Sequence, residues 1–304
     1  MKKIFVIGSA VVDVVVRLPH LPGKSEDVHV RSQAMQLGGC GFNVYDMIRH
    51  FEIPSIPFFP IGTGAYGEFV RAEFSRRHIP LVIPSAPAEN GCCYCFVEDD
   101  GERTFLSYHG AEYRFDPSWF DLLRPEEIGS VYFCGLEIEE DTGIHVISFL
   151  TQLKKAHPEI RLFFAPGPRI CRISPDRLEK LFALGPLIHL NETEVTAFTQ
   201  TEDILTAARK LQHMTGSDVI VTLGKDGCLC VGSDSVLSVP GYPALQKDTI
   251  GAGDAHIGAV IACLHRQMSM EEALRCANRI SARVVETEGA LLDQDQFTAI
   301  MQDT

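Results

Sequence analysis

A chain of 304 residues with 45% hydrophobic content is long enough to bury a large core. Its formal net charge of −13 excludes the Lys and Arg excess of a general nucleic-acid or anionic-membrane binder. Asp13 interrupts the early apolar run, and no apolar stretch approaches the ~20 residues of a membrane span. A cytoplasmic protein without an export signal is therefore expected, its ten cysteines reduced and used mainly for packing. Ile4 to Ile7 reads as a strand buried on both faces, and Gly8-Ser9-Ala10 separates it from a second strand, Val11 to Val16. An unpaired buried charge is costly, so Asp13 within that strand lies at an exposed edge or faces something polar. Arg17 to Gln36 is polar, with Pro19, Pro22 and Gly23, and reads as an excursion away from the core. Gly38-Gly39-Cys40-Gly41-Phe42-Asn43 then precedes a helical pattern through Val44, Met47, Ile48 and Phe51. Glycines there let a ligand approach the backbone, but Val44 stands where a dinucleotide fingerprint needs its third glycine.

Ile56 to Ile61 reads as another strand, and Gly62-Thr63-Gly64 leads into an amphipathic helix through Phe69, Ala72 and Phe74. Cys92 to Val97 and Arg103 to Tyr108 are β-prone runs joined around Asp100-Gly101, a hairpin signal. Cys92-Cys93-Tyr94-Cys95 lacks the ligand spacing and second pair of a structural zinc site, so packing is expected. After Trp119, short strands at Val131 to Phe133, Leu162 to Phe164 and Leu187 to Leu190 alternate with helical patterns. Such alternation implies a mostly parallel sheet with ligands at the C-terminal ends of its strands. Glu137 falls at one such end, where it faces a ligand or joins the solvated acids Glu139, Glu140 and Asp141. Asn191 and Glu194 fall at another, with a helix cap as the competing role for Asn191. Val219 to Leu223 runs into the turn Gly224-Lys225-Asp226-Gly227, and a further strand begins at Cys228.

Asp248-Thr249-Ile250-Gly251-Ala252-Gly253-Asp254 organises the rest. Small residues from Gly251 to Gly253 permit a tight turn, and the apolar run Ala255 to Leu264 reads as a buried helix. Unpaired N–H groups and the dipole at that helix start attract an anion. A carboxylate in the same turn is repelled by an anion, so Asp254 either caps the helix or abstracts a proton.

That stretch resembles the DTxGAGD signature of the ribokinase-like (PfkB) family of sugar and nucleoside kinases. The resemblance continues through Gly38 to Asn43 (GGxxxN), Asp100 to Phe105 (DGERTF), Asn191 to Glu194 (NxxE) and Thr222 with Gly224 and Gly227 (GxxG). It implies an α/β ribokinase-like three-layer sandwich, its mostly parallel central sheet flanked by helices, as one domain over residues 1–304. A small β-sheet lid from about residues 11–36 and 91–109 would cover the acceptor and pair into a homodimer. The implied activity is transfer of the γ-phosphoryl group of ATP to a hydroxyl of a small sugar. Asp254 would be the base, and the backbone of Gly251, Ala252 and Gly253 the anion hole. Asp13, Gly39, Asn43 and Glu137 would meet the acceptor. Asn191, Glu194, Thr222, Gly224 and Gly227 would meet the nucleotide phosphates, with Asn278 beside the adenine. Mg²⁺ would be held through water by Glu194, and K⁺ by the carbonyls of Asp248, Ile250, Val284, Thr287 and Gly289.

Two departures matter. Cys40 stands where ribokinases carry Lys, which does not support ribose itself, and Ala165 stands where relatives place an Asp near the nucleotide. With no Walker A sequence, positive charge must come from backbone dipoles, metal and Arg169. Two alternatives remain: a nucleoside kinase stacking its base on Phe42, Tyr94 or Phe96, and a non-catalytic sugar or nucleotide sensor.

Overall fold

The computed structural model describes residues 2–302. Its first half runs β1 (Lys3–Ile7), β2 (Val11–Leu18), β3 (Ser32–Gly38), α1 (Cys40–His50), β4 (Ser55–Phe58), α2 (Gly64–Arg76), β5 (Cys92–Glu98), β6 (Arg103–Tyr108), β7 (Ile128–Cys134), α3 (Gly135–Glu139) and α4 (Gly143–Ala156). The second runs β8 (Arg161–Ala165), α5 (Pro175–Phe182), β9 (Leu187–Asn191), α6 (Glu192–Thr199), α7 (Ile204–Thr215), β10 (Val219–Thr222), β11 (Cys228–Val231), β12 (Val236–Val239), α8 (Ala252–His265), α9 (Met270–Val284) and α10 (Gln294–Gln302). Eight strands form one sheet in the order β12-β11-β10-β9-β8-β7-β1-β4, parallel from β4 through β10 and antiparallel at β11 and β12.

Alternation along β1 shows why this sheet is the middle layer. Ile4 and Val6 enter a core with Val44 and Ile48 of α1, Ile257 and Ile261 of α8 and Leu274 of α9. Phe5 and Ile7 enter a second core on the other side, with Val146 and Leu150 of α4, Leu181 of α5 and Leu211 of α7. Both faces are covered by helices, as the parallel run of strands from β4 to β10 requires. The result is the expected three-layer sandwich. Helix α8 is buried from Ala255 to Cys263, which explains its nearly continuous apolar sequence.

The other sheet has the order β3-β2-β5-β6. Asp13 lies opposite Gln36 on β3 and Cys93 on β5, so these three side chains share a face. Two sequence assignments need correction. The expected strand Ile56 to Ile61 ends at Phe58; β4 is an edge strand, which accommodates Pro57, and Pro60 follows with no N–H to extend the ladder. Within the polar excursion before Gln36, Ser32–Gly38 is a strand whose first five residues are exposed. Pairing with β2 creates it, since its own residues carry no apolar alternation. Among the described residues no helix is long and apolar enough to cross a membrane.

Candidate active site

Loops at the C-terminal ends of the parallel strands gather most of the predicted residues. Helix α8 begins after Gly251, whose φ of 75° and a would-be Cβ only 2.4 Å from the Ala290 Cβ exclude any other residue without rearrangement. Ala252 N–H makes a long bond of 3.3 Å to the Thr249 carbonyl, and Ala255 N–H bonds the Gly251 carbonyl at 2.8 Å. Gly251, Gly253 and Asp254 N–H groups have no backbone acceptor among the described residues. Gly253 is exposed, and a Cβ there would meet no protein atom within 4 Å. The turn therefore offers free donors in an open space, the arrangement an anion needs.

Asp254, one residue on, accepts a 2.8 Å hydrogen bond at Oδ2 from the Asn43 amide of α1. Burial pushes its carboxyl up to about 6 against the pull of that bond and of Cys40, while the charges of Glu137 and Glu194 push it further. Glu137 is fully buried, which overturns its reading as a solvated acid. Its Oε2 accepts from the Cys134 thiol at 2.6 Å and its Oε1 lacks a partner, as do the buried Asn43 Oδ1 and Ser9 Oγ. Unpaired buried acceptors beside a candidate base are groups that an acceptor hydroxyl or a water satisfies. Gly39 caps α1 with a φ of 98°. Asp13 is half-buried, its carboxyl raised to about 6 by desolvation, so it is not the solvated edge residue of the competing reading.

Across the sheet, Asn191 caps α6 in a reciprocal box: its Oδ1 accepts from Glu194 N–H at 2.8 Å and Glu194 Oε2 accepts from Asn191 N–H at 3.0 Å. One oxygen of Glu194 remains available. Thr222 is half-buried at the end of β10, Gly224 is exposed, and Gly227 is buried against Val239 and Gly241. Asn278 is 6% exposed, and its amide donates to the Val239 and Pro240 carbonyls at 3.1 and 3.0 Å. That orientation turns its Oδ1 to His256 Nε2 at 3.0 Å, so Nε2 carries the proton and Nδ1 accepts from His189 Nε2 at 3.0 Å. Burial pushes His256 down to about 4 and His189 well below its ordinary value. Sequence reading missed this neutral chain between β9, α8 and α9, although His256 stands two residues after Asp254. Arg169 is held by Glu139 at 3.0 Å.

The Asp248 carboxylate joins three segments. It accepts from Ile250 N–H at 2.9 Å, Gly289 N–H at 3.0 Å and the Arg103 guanidinium at 2.5 Å. Burial opposes its charge, but these three donors outweigh burial and hold the carboxyl below its ordinary range. Asp248, Ile250 and Gly289 are thus brought together. The Val284 carbonyl instead accepts from both Thr287 N–H and Thr287 Oγ1, which leaves it no lone pair for a cation. A cavity of about 410 Å³ lies between the smaller sheet and this region, with Asp13, Arg17, Arg103, Phe105, Asp248 and Ile250 among its walls. The aromatic platform expected from Phe42, Tyr94 and Phe96 is not there. Phe42 is fully buried against Phe74, and Tyr94 and Phe96 alternate with Cys93 onto the face opposite Asp13. Phe105 pairs with Cys95 and lines the cavity instead.

Residues 1–296 match the model of the pfkB family carbohydrate kinases. The uncharacterized sugar kinase YegV of Escherichia coli (strain K12) is 30% identical over 292 residues, covering 95% of this chain and 90% of that one. A ribokinase of Staphylococcus aureus (strain COL) is 25% identical over 298 residues, covering 95% of each. The structure of Arabidopsis thaliana ribokinase complexed with ribose and ATP superposes with a TM-score of 0.81 at 20% identity, covering 99% of each chain.

Proposed function

The chain belongs to the pfkB family of carbohydrate kinases, and from that premise we propose that it transfers the γ-phosphoryl group of ATP to a hydroxyl of a small sugar. The observation that carries this reading is the start of α8, where free N–H groups meet Asp254, itself hydrogen-bonded to Asn43. Asp254 takes the proton of the acceptor hydroxyl, whose oxygen attacks the γ-phosphorus as its bond to the bridging oxygen of ADP breaks. The free N–H groups of Gly251 and Gly253, joined by that of Ala252 once it leaves its long bond to the Thr249 carbonyl, stabilise the charge that develops on the transferred oxygens. Asn43 orients the carboxylate, and Glu137 and Asp13 hold neighbouring hydroxyls through oxygens that the protein leaves free.

Asn191, Glu194, Thr222, Gly224 and Gly227 border the nucleotide phosphates, and the spare oxygen of Glu194 suits a hydrated Mg²⁺, which keeps most of its waters. Magnesium supplies charge neutralisation on the phosphates. Asn278 acts behind the adenine by holding the Val239 and Pro240 carbonyls. Carbonyls of Asp248, Ile250, Thr287 and Gly289 suit a monovalent cation, and Val284 does not. The smaller sheet serves as the lid that excludes water, and pairs with a second copy.

Measuring ADP release from Mg-ATP with a panel of free sugars, phosphosugars and nucleosides, with and without potassium, tests the reading. Acceptor-dependent turnover led by a sugar is expected. A nucleoside as best acceptor would replace the sugar assignment, and ATP binding without turnover across the panel would overturn the kinase reading.

A further inference from the structure

One carboxylate ties the smaller sheet to the turn that carries the free N–H donors. Arg103 is the first residue of β6, and its guanidinium reaches Asp248 Oδ1 at 2.5 Å; the same oxygen accepts from Ile250 N–H, one residue before Gly251. Asp248 Oδ2 holds Gly289 N–H, and the backbone N–H of Asp248 is fixed on the Val285 carbonyl at 3.1 Å. The Asp248 side chain is 5% exposed and Arg103 is its ion-pair partner among the described residues. Removing the arginine therefore leaves a buried carboxylate without a countercharge, which then draws in water and loosens its bond to Ile250. A second strap, Arg17 on β2 to Glu288, reaches the residue beside Gly289, but both partners are largely exposed and such a pair contributes little.

We infer that Arg103 is a positioning residue: when the lid seats, its guanidinium locks the Asp248 carboxylate and thereby sets the Ile250 to Gly253 turn in the geometry that receives the transferred phosphoryl group. This inference rests on the kinase reading. It gives the lid a role beyond excluding water, because the anion hole is complete only with the lid down. Binding energy from an acceptor under the lid is then used to assemble the turn at which charge develops.

The experiment compares Arg103→Ala, Arg103→Lys and, as a control just outside the same sheet, Arg31→Ala, which breaks an exposed pair with Asp99. Hydrogen exchange of the free enzyme reads the Ile250 amide directly, independent of activity. Arg103→Ala is expected to speed that exchange about tenfold or more, to lower kcat at least tenfold with the acceptor KM changed less, and to raise acceptor-independent ATP hydrolysis relative to transfer. Arg103→Lys should recover part of each effect, and Arg31→Ala should match the wild type. Unchanged Ile250 exchange in Arg103→Ala would overturn the coupling, and so would a loss confined to acceptor KM. If the wild type transfers to no acceptor, the kinase reading fails, while the exchange comparison still decides whether Arg103 orders the turn.

Discussion

At Asp254 the demands of chemistry and of folding oppose each other. The burial that lifts its carboxyl from 3.8 to about 6 places the proposed base near neutrality and also costs stability once the group ionises. Between those two values the folded protein binds more protons than the unfolded chain, so stability falls as pH rises through this window and stays lower above it. Asp254→Asn removes the charge. Thermal scans should show the variant more stable than the wild type at about pH 7.5, on the order of 1–3 kcal/mol, with the difference vanishing below about pH 4. Its turnover should fall by about 10²–10⁴, while calorimetry finds nucleotide affinity unchanged within about twofold. In the wild type, turnover should rise through about pH 6 and level off above it, because the base works ionised. A variant that is less stable at every pH would show that the carboxylate is structural and not strained.

Helices α1 and α8 have to meet closely for Asn43 to reach Asp254, and Gly258 is where they do. A Cβ at Gly258 would lie 2.9 Å from the Met47 Cβ and 3.2 Å from the Val44 carbonyl, so Gly258→Val forces the helices apart. It should cost about 1–3 kcal/mol in denaturant unfolding and separate base from amide, with activity lost alongside stability. Gly253→Ala makes the opposite case. Its Cβ touches no protein atom, and replacing a helical glycine stabilises by roughly 0.5–1 kcal/mol, yet the methyl projects into the space beside the free donors. Higher thermal stability with a raised KM for ATP is the expected pair of outcomes; unchanged KM would place the phosphates elsewhere. These elements differ in how plainly the sequence announces them. The buried strand Ile4 to Ile7, the glycine turn and the apolar α8 are local patterns and stand where they were read. Strand β3 exists only because β2 offers it a partner, and Glu137 is buried although its neighbours Glu139, Glu140 and Asp141 read as solvated acids, a difference that tertiary packing decides and no local pattern announces. The placement of Arg103 on Asp248 joins residues 145 positions apart, and the hairpin that carries it was legible while its contact was not.

At the scale of the molecule, the smaller sheet leaves an apolar surface that a single copy does not cover. Strand β6 is an edge, and along it Phe105, Leu106 and Tyr108 are 54%, 62% and 62% exposed. An edge strand presents unpaired backbone groups, and when its side chains are also apolar it invites a partner. Phe105 lines the cavity, where the proposed acceptor would cover it, whereas Leu106 and Tyr108 pair with Tyr94 and Cys92 on the opposite face. Those two residues suit the lid of a second copy, which would also keep both edges from aggregating. Light scattering during size exclusion is expected to give about twice the chain mass of 33.6 kDa for the wild type at micromolar concentration. Leu106→Lys should bring that mass down to one chain and, by freeing the lid, raise the KM for the acceptor more than the KM for ATP. A wild type that runs as one chain across the whole concentration range would remove the pairing from the proposal, and the apolar edge would then have to be covered by the acceptor side alone.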